Sequence, residues 1–159
     1  NSLVLAYWPN ENLPVDFSIL QILNATPGAR IGIGAPNSVP VGRYAKEALQ
    51  NMQLWNSIEA RITPAGSANA LGRMLRAKGV PMGVAFASEK IEGMRALPIP
   101  PETHERITYM IGITQSGDSE NSRAAIKFLL SEPSLTLAQT MGFDTLDRAN
   151  STGQNSTKE

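Results

Sequence analysis

Acid–base or nucleophilic catalysis needs a base held beside a nucleophile in a pocket. This sequence offers little to build one. Its single histidine, His104, lies in the polar run "PPETHERI", flanked by Glu102 and Glu105. There it reads as an exposed loop histidine. With no further ligand at metal spacing, the two glutamates do not make a metal centre. Cysteine is absent, which removes thiolate chemistry and cysteine-held metals. HExxH, P-loop and GxGxxG motifs are absent as well. The residues therefore point away from an enzyme, and no catalytic group, metal or cofactor is expected.

Two helix starts remain, each placed directly after a strand. One is "NSVPVGRYA" (37–45) and the other is "PAGSANAL" (64–71). A helix N-terminus carries amides without intrahelical partners and about half a positive charge, so it attracts anions without any charged side chain. Small residues let a ligand come close: Val41 and Gly42 at the first start, Ser67 and Ala68 at the second. In a parallel α/β sheet both starts lie at the carboxyl ends of strands, the usual ligand edge. Each start alone reads as an ordinary capped helix; the two together on one edge leave the capped-helix and anion-site readings both open. Arg43 follows Gly42 and is either a ligand or a solvated surface arginine.

The elements that must hold these starts follow from the apolar pattern. "SLVLAYW" (2–8) is a strand, and "VDFSILQIL" (15–23) suits a short helix with Asp16 near its start. "TPGA" (26–29) breaks the chain, and "RIGIGAP" (30–36) is a strand whose glycines imply close backbone approach. From Gly42 the residues Tyr44, Ala45, Ala48, Leu49 and Met52 fall at helical spacing. "IEARITPA" (58–65) is the next strand, and Ser67 is the N-cap of a helix striped by Ala70, Leu71, Met74 and Leu75. "PMGVAFAS" (81–88) is apolar throughout, as a strand buried on both faces would be. The order strand, helix, strand, helix, strand implies a parallel sheet with crossover helices.

Beyond it the pattern changes. Residues 94–115 hold two extended pieces about a Pro-rich turn, and 119–132 form an amphipathic helix that Pro133 ends. Residues 134–143 are a last short helix, and 147–159 are a poorly ordered polar tail. The tail's two Asn-Ser-Thr triplets read as chance rather than glycosylation acceptors. At 159 residues the chain is enough for one domain or two small lobes. Lys plus Arg number 14 and Asp plus Glu number 14, a balance that argues against nucleic acid or an anionic membrane surface as partner. No apolar run approaches the roughly 18–20 residues a membrane span needs. The chain opens at Asn1 rather than methionine, so an upstream segment is expected to have been removed.

The stretch "IGIGAPNSVPVGRYAKEALQNMQLWNSIEARI" resembles the periplasmic molybdate-binding proteins of ABC transporters. Their pattern is a strand ending in G-D/N-P, then V-P-x-G-x-Y-A-x-E-A-L, then L-x-x-W. The resemblance continues through "SANALGRMLRAKGVPMGVAFASE" and ends in "AAIKFLLSEPSLTLAQTMGF", covering residues 2 to about 143. It implies a type II periplasmic-binding-protein-like α/β fold. Residues 9–96 would be a complete lobe with a parallel sheet, and 1–8 and 97–146 would be return elements of an incomplete second lobe. By the same resemblance Val41 and Ala68 offer backbone amides to a tetrahedral oxyanion, and a tyrosine hydroxyl ends the next strand. That tyrosine position falls on Phe86, so a donor is missing. The family's N-terminal segment, with its Ala-Ser motif, has no counterpart here. The implied function is capture of a molybdate- or tungstate-like oxyanion in the periplasm, or tethered outside the cytoplasmic membrane, for an ABC permease. Either a missing N-terminal segment or a second copy of the chain would complete the structure. Sulfate, a phosphorylated metabolite or an organic acid are the alternative ligands. An effector-sensing or interaction domain without a transport role is the alternative from another class.

Overall fold

A computed structural model describes residues 1–9, 17–89 and 91–145, and the chain divides into one unit from Asn1 to Thr108 and a second from Tyr109 onward. The expected polar tail, 147–159, and Asp16 fall outside the described residues.

The first unit runs β1 (Leu3–Tyr7), α1 (Ile19–Ala25), β2 (Ile31–Gly34), α2 (Pro40–Asn51), α3 (Trp55–Ile58), β3 (Ile62–Ala65), α4 (Ala68–Arg76), β4 (Met82–Phe86) and β5 (Arg95–Pro98). The strands form one sheet in the order β3-β2-β4-β1-β5. β2 pairs in parallel with both β3 and β4, as the alternating pattern implies. β1 runs antiparallel to β4 and to β5, so the sheet is mixed rather than wholly parallel. An apolar run reads the same in either direction, which is why periodicity does not reveal this. Residues 1–8, expected as a return element of an incomplete second lobe, include β1, which lies in this sheet between β4 and β5 with Leu3, Leu5 and Tyr7 buried.

Local chemistry sets the element ends. α1 starts at Ile19, later than the apolar pattern suggests. Ser18 and Gln21 form a reciprocal capping box there: the Ser18 hydroxyl accepts from Gln21 N–H, and Gln21 Oε1 accepts from Ser18 N–H at 2.8 Å. Its far end is closed by Arg61, whose guanidinium donates to Leu23 O, Thr26 O and Ala29 O at 3.2, 2.7 and 2.9 Å. Partial burial lowers the Arg61 pKa from its ordinary value. Residues 55–61, whose end the 58–65 strand was expected to include, are helical because Trp55 and Ile58 are buried three apart on one side of a turn. β3 therefore begins only at Ile62.

α2 begins at Pro40 rather than Gly42, because proline suits the first helical position, where an amide would be unpaired anyway. The helix lies directly on the end of β2. A Cβ on Gly42 would collide with the carbonyl carbon and oxygen of Gly34, and a Cβ on Gly34 would come within 2.9 Å of Gly42 N and 2.8 Å of Val41 Cγ1. Gly32, on the same face of β2, leaves room for Leu71 and Val80 in the same way. The alternating glycines of "IGIG" thus admit backbone and core side chains to the sheet, as close approach requires.

In the second unit α5 (Glu120–Leu129) and α6 (Glu132–Thr140) appear where the amphipathic pattern places them. Ser119 caps α5 by accepting from Ser122 N–H. The Arg123 guanidinium holds the exposed Asp118 carboxyl below its ordinary pKa through two hydrogen bonds of 2.7 and 2.6 Å. Pro133 stands in the first turn of α6 and opens that helix instead of merely ending its predecessor. "TYMIGI" (108–113), expected as an extended piece, pairs with no strand among the described residues. Its side chains are open to solvent: Tyr109 is 61% and Met110 93% exposed. No described residue from Tyr109 onward is buried.

Gly42→Ala is expected to destabilise the first unit by about 1–3 kcal/mol or more, because the neighbour in its way is backbone and cannot rotate aside. A helix interior normally favours alanine by about 1 kcal/mol, so the sign of the effect is diagnostic. Gly66→Ala, with nothing within 4 Å of its Cβ position, is the near-neutral control. Urea unfolding followed by circular dichroism measures both.

Candidate anion-binding edge

β2 and β3 end level with one another, Gly34 opposite Ala65, and Ala35 N–H donates to Ala65 O at 2.8 Å. β4 lies on the other side of β2. The carboxyl ends of three adjacent parallel strands therefore share one edge of the sheet. The chain continues from the first two into α2 and α4.

The first turn of each helix gives an inventory of free donors. In α2 the N-cap is Val39, which has no side-chain acceptor to offer. Pro40 carries no amide hydrogen. Gly42 N–H and Arg43 N–H both donate to Val39 O, at 2.9 and 3.0 Å. The Val41 N–H is the amide left over, and no hydrogen bond among the described residues uses it. In α4 Ser67 is the N-cap, as its sequence position implies: its hydroxyl accepts from Ala70 N–H at 3.0 Å, and its carbonyl accepts from Leu71 N–H. The Ala68 and Asn69 amides remain unused among the described residues. The Ser67 hydroxyl hydrogen is still available to donate, since the cap uses only its lone pair.

Of the expected site residues, Val41, Ala68 and Ser67 thus carry open donors. Gly42 does not: its amide is engaged and its role is contact with β2. Asn69, not among the expected residues, has an unused amide as well, because a capped helix leaves its second amide free as well as its first. Val41 is buried as a whole residue, backbone included, while Ser67 is exposed. Arg43 is exposed. Phe86 is the last residue of β4, partly buried against the core, with its carbonyl accepting from Glu89 N–H.

His104 departs from expectation. It is 9% exposed rather than an open loop residue. Its Nδ1 lies 2.7 Å from Glu105 O and its ring meets Tyr44 edge-on, so the polar run around it hides a side chain packed inward. No group of three or more His, Cys, Asp or Glu positioned for a metal occurs among the described residues. No described helix is long and apolar enough to cross a membrane.

The Escherichia coli molybdate-binding protein ModA is 26% identical over 149 residues, which is 90% of this chain and 58% of the relative. The Azotobacter vinelandii periplasmic molybdate-binding protein superposes with a TM-score of 0.72 at 20% identity, covering 92% of this chain and 65% of that one. PEB3 with bound L-phospholactate superposes with a TM-score of 0.67 at 12% identity, over 91% of this chain and 65% of its own. These likenesses agree with the α/β architecture, and the chain spans less than two thirds of each of these proteins. Residues 1–144 match the family described as bacterial extracellular solute-binding proteins, and the chain belongs to that family.

Proposed function

We propose that the chain forms part of an ABC importer's solute-binding protein that captures a small tetrahedral oxyanion of the molybdate type outside the cytoplasm and delivers it to a membrane permease. The observation that carries this reading is the pair of helix starts on one sheet edge, with the Val41, Ala68 and Asn69 amides unused. Neutral donors bind a dianion through partial charge and hydrogen bonds, so selectivity comes from donor number and cavity size rather than ion pairing. The identity to molybdate-binding proteins supports the ligand class. Closure of two lobes over the ligand is the mechanism this architecture suggests.

Proline at position 68 tests the amides cleanly. Ala68 is the first residue of α4, where proline fits, and Ser67 has the extended backbone (φ −162°, ψ 165°) that a residue before proline prefers. Ala68→Pro is expected to leave the fold intact and to weaken molybdate by about ten- to hundredfold, the worth of one hydrogen bond to a charged group. Isothermal calorimetry measures it, and unchanged affinity removes Ala68 from the site. The equivalent change at Val41 is less clean, because it would lose a buried side chain and force Pro40 from helical geometry.

A second reading, a phosphorylated or carboxylate ligand, is favoured by Phe86 and by the neighbour whose structure holds L-phospholactate. A phenyl ring offers no donor to a fully oxygenated anion. Phe86→Tyr is expected to improve molybdate binding by about 1 kcal/mol or more. If the variant binds neither molybdate nor sulfate more tightly, Phe86 is packing alone and the organic ligand becomes the better reading.

The second unit bears on partners. Phe128, Leu129, Leu137 and Met141 are more than half or about half exposed, together with Tyr109 and Met110. An apolar surface of this kind calls for a covering layer. We assign that layer to the portion of the relatives' length that this chain does not match. The 159-residue chain on its own is therefore expected to self-associate in light scattering. A monodisperse monomer at tens of micromolar would sink this assignment.

A further inference from the structure

Tyr44, Glu47 and Asn51 recur along one face of α2 at intervals of three and four residues. That face grips the segment that follows β5. Asn51 Nδ2 donates to Thr103 O at 2.8 Å, and Glu105 N–H donates to Glu47 Oε1 at 3.1 Å. Between these two contacts the His104 ring meets Tyr44 edge-on, with centroids 6.1 Å apart. The carbonyl of Glu105 can only accept, so the 2.7 Å contact from His104 Nδ1 places the ring proton on Nδ1. Nε2 is buried and has no partner. The grip therefore falls one hydrogen bond short of satisfaction, which makes it easier to open than the sheet beside it. A few residues further on, past buried Ile107, the chain leaves the first unit.

α2 is the helix whose first turn holds the open Val41 amide. Its start is pressed on Gly34 and cannot slide. Buried Ala45, Ala48 and Leu49 hold its inner face on the core along its length, and the clasp adds a contact on another face. We propose that Glu47, Asn51 and His104 are positioning residues for anion binding: they clasp residues 103–105 to α2 and so couple the angle of the amide-bearing helix to the chain that leads out of the first unit. This inference rests on the anion reading above. The coupling is reciprocal by thermodynamic linkage, so the anion tightens the clasp as the clasp aids the anion.

The test combines amide hydrogen exchange with molybdate titration on the intact solute-binding protein of which this chain forms part. Glu47→Ala is expected to speed exchange of the Glu105 amide about tenfold and to weaken molybdate by about fivefold, the lower range of measured site–site couplings. Glu47→Gln keeps a carbonyl acceptor at the same place and is expected to restore both. Asn51→Ala, at an exposed position, gives a second probe should Glu47→Ala fail to fold, with the same direction expected at Thr103 and in affinity. In wild type, saturating molybdate is expected to slow exchange at residue 105. Faster exchange in the alanine variants with molybdate affinity unchanged overturns the positioning role and leaves the anion reading standing. Unaltered exchange in Glu47→Ala overturns the clasp itself. An intact wild-type protein that binds no molybdate while the Glu105 amide stays protected overturns the anion reading and the coupling together.

Discussion

The contact between the end of β2 and the start of α2 is backbone against backbone, and the proposed ligand edge depends on it. With no Cβ on Gly34 or Gly42, the helix begins almost on top of the strand's last carbonyl. Its first N–H, that of Val41, is thereby held at the sheet edge beside the strand end that leads to α4. A larger residue at either place would lift the helix away and carry the Val41 amide with it. Every later feature of the site presupposes this spacing: the Val39 carbonyl that absorbs two amides, the single donor left over, and the second capped start opposite.

Much of this was written in recognisable chemistry. The alternating glycines of "IGIG" announced close approach, and Ser67 announced a cap, because each has one dominant physical use. The stripes of α2, α4 and α5 were legible for the same reason: a period of 3.6 has few competing explanations. What stayed hidden was relational. The direction of β1 depends on partners remote in sequence. His104 sits among glutamates and prolines, so composition made it look solvated; only the tertiary contact with Tyr44 buries it. The short helix at Trp55 was obscured by the β-forming residues that follow it. At the proposed site the pattern pointed to the Val41 and Ala68 amides, but not to the fact that Gly42 spends its own on Val39. Phe86 remains the residue whose role rests on the family pattern rather than on a contact.

The edge also illustrates an economy of charge. Lysines and arginines equal aspartates and glutamates over the whole chain, and the donors at the edge are backbone amides and a hydroxyl. A site of this sort is insensitive to the protonation of side chains and discriminates by geometry. It is costly for a ligand that presents too few acceptors, because each amide stripped of water must then go unpaired. Arg61, the one arginine with several backbone partners among the described residues, stands instead behind α1, where it closes carbonyls rather than meeting a ligand.

The antiparallel placement of β1 has a consequence in time. Leu3 pairs with Phe86 and Tyr7 with Met82, so the strand nearest the start of the numbering docks on one of the last strands of its unit. β5 then closes over its other side. Contacts of such separation carry a large loop-closure cost and form slowly compared with the neighbouring strand–helix–strand units. β2, α2, β3 and α4 can assemble from nearby residues, whereas β4 is held on both sides only after β1 has waited for it. During synthesis the anion edge would therefore acquire its two helix starts early and its third strand late. The order of assembly leaves β1, with its run of apolar residues, without its sheet partners through most of that interval.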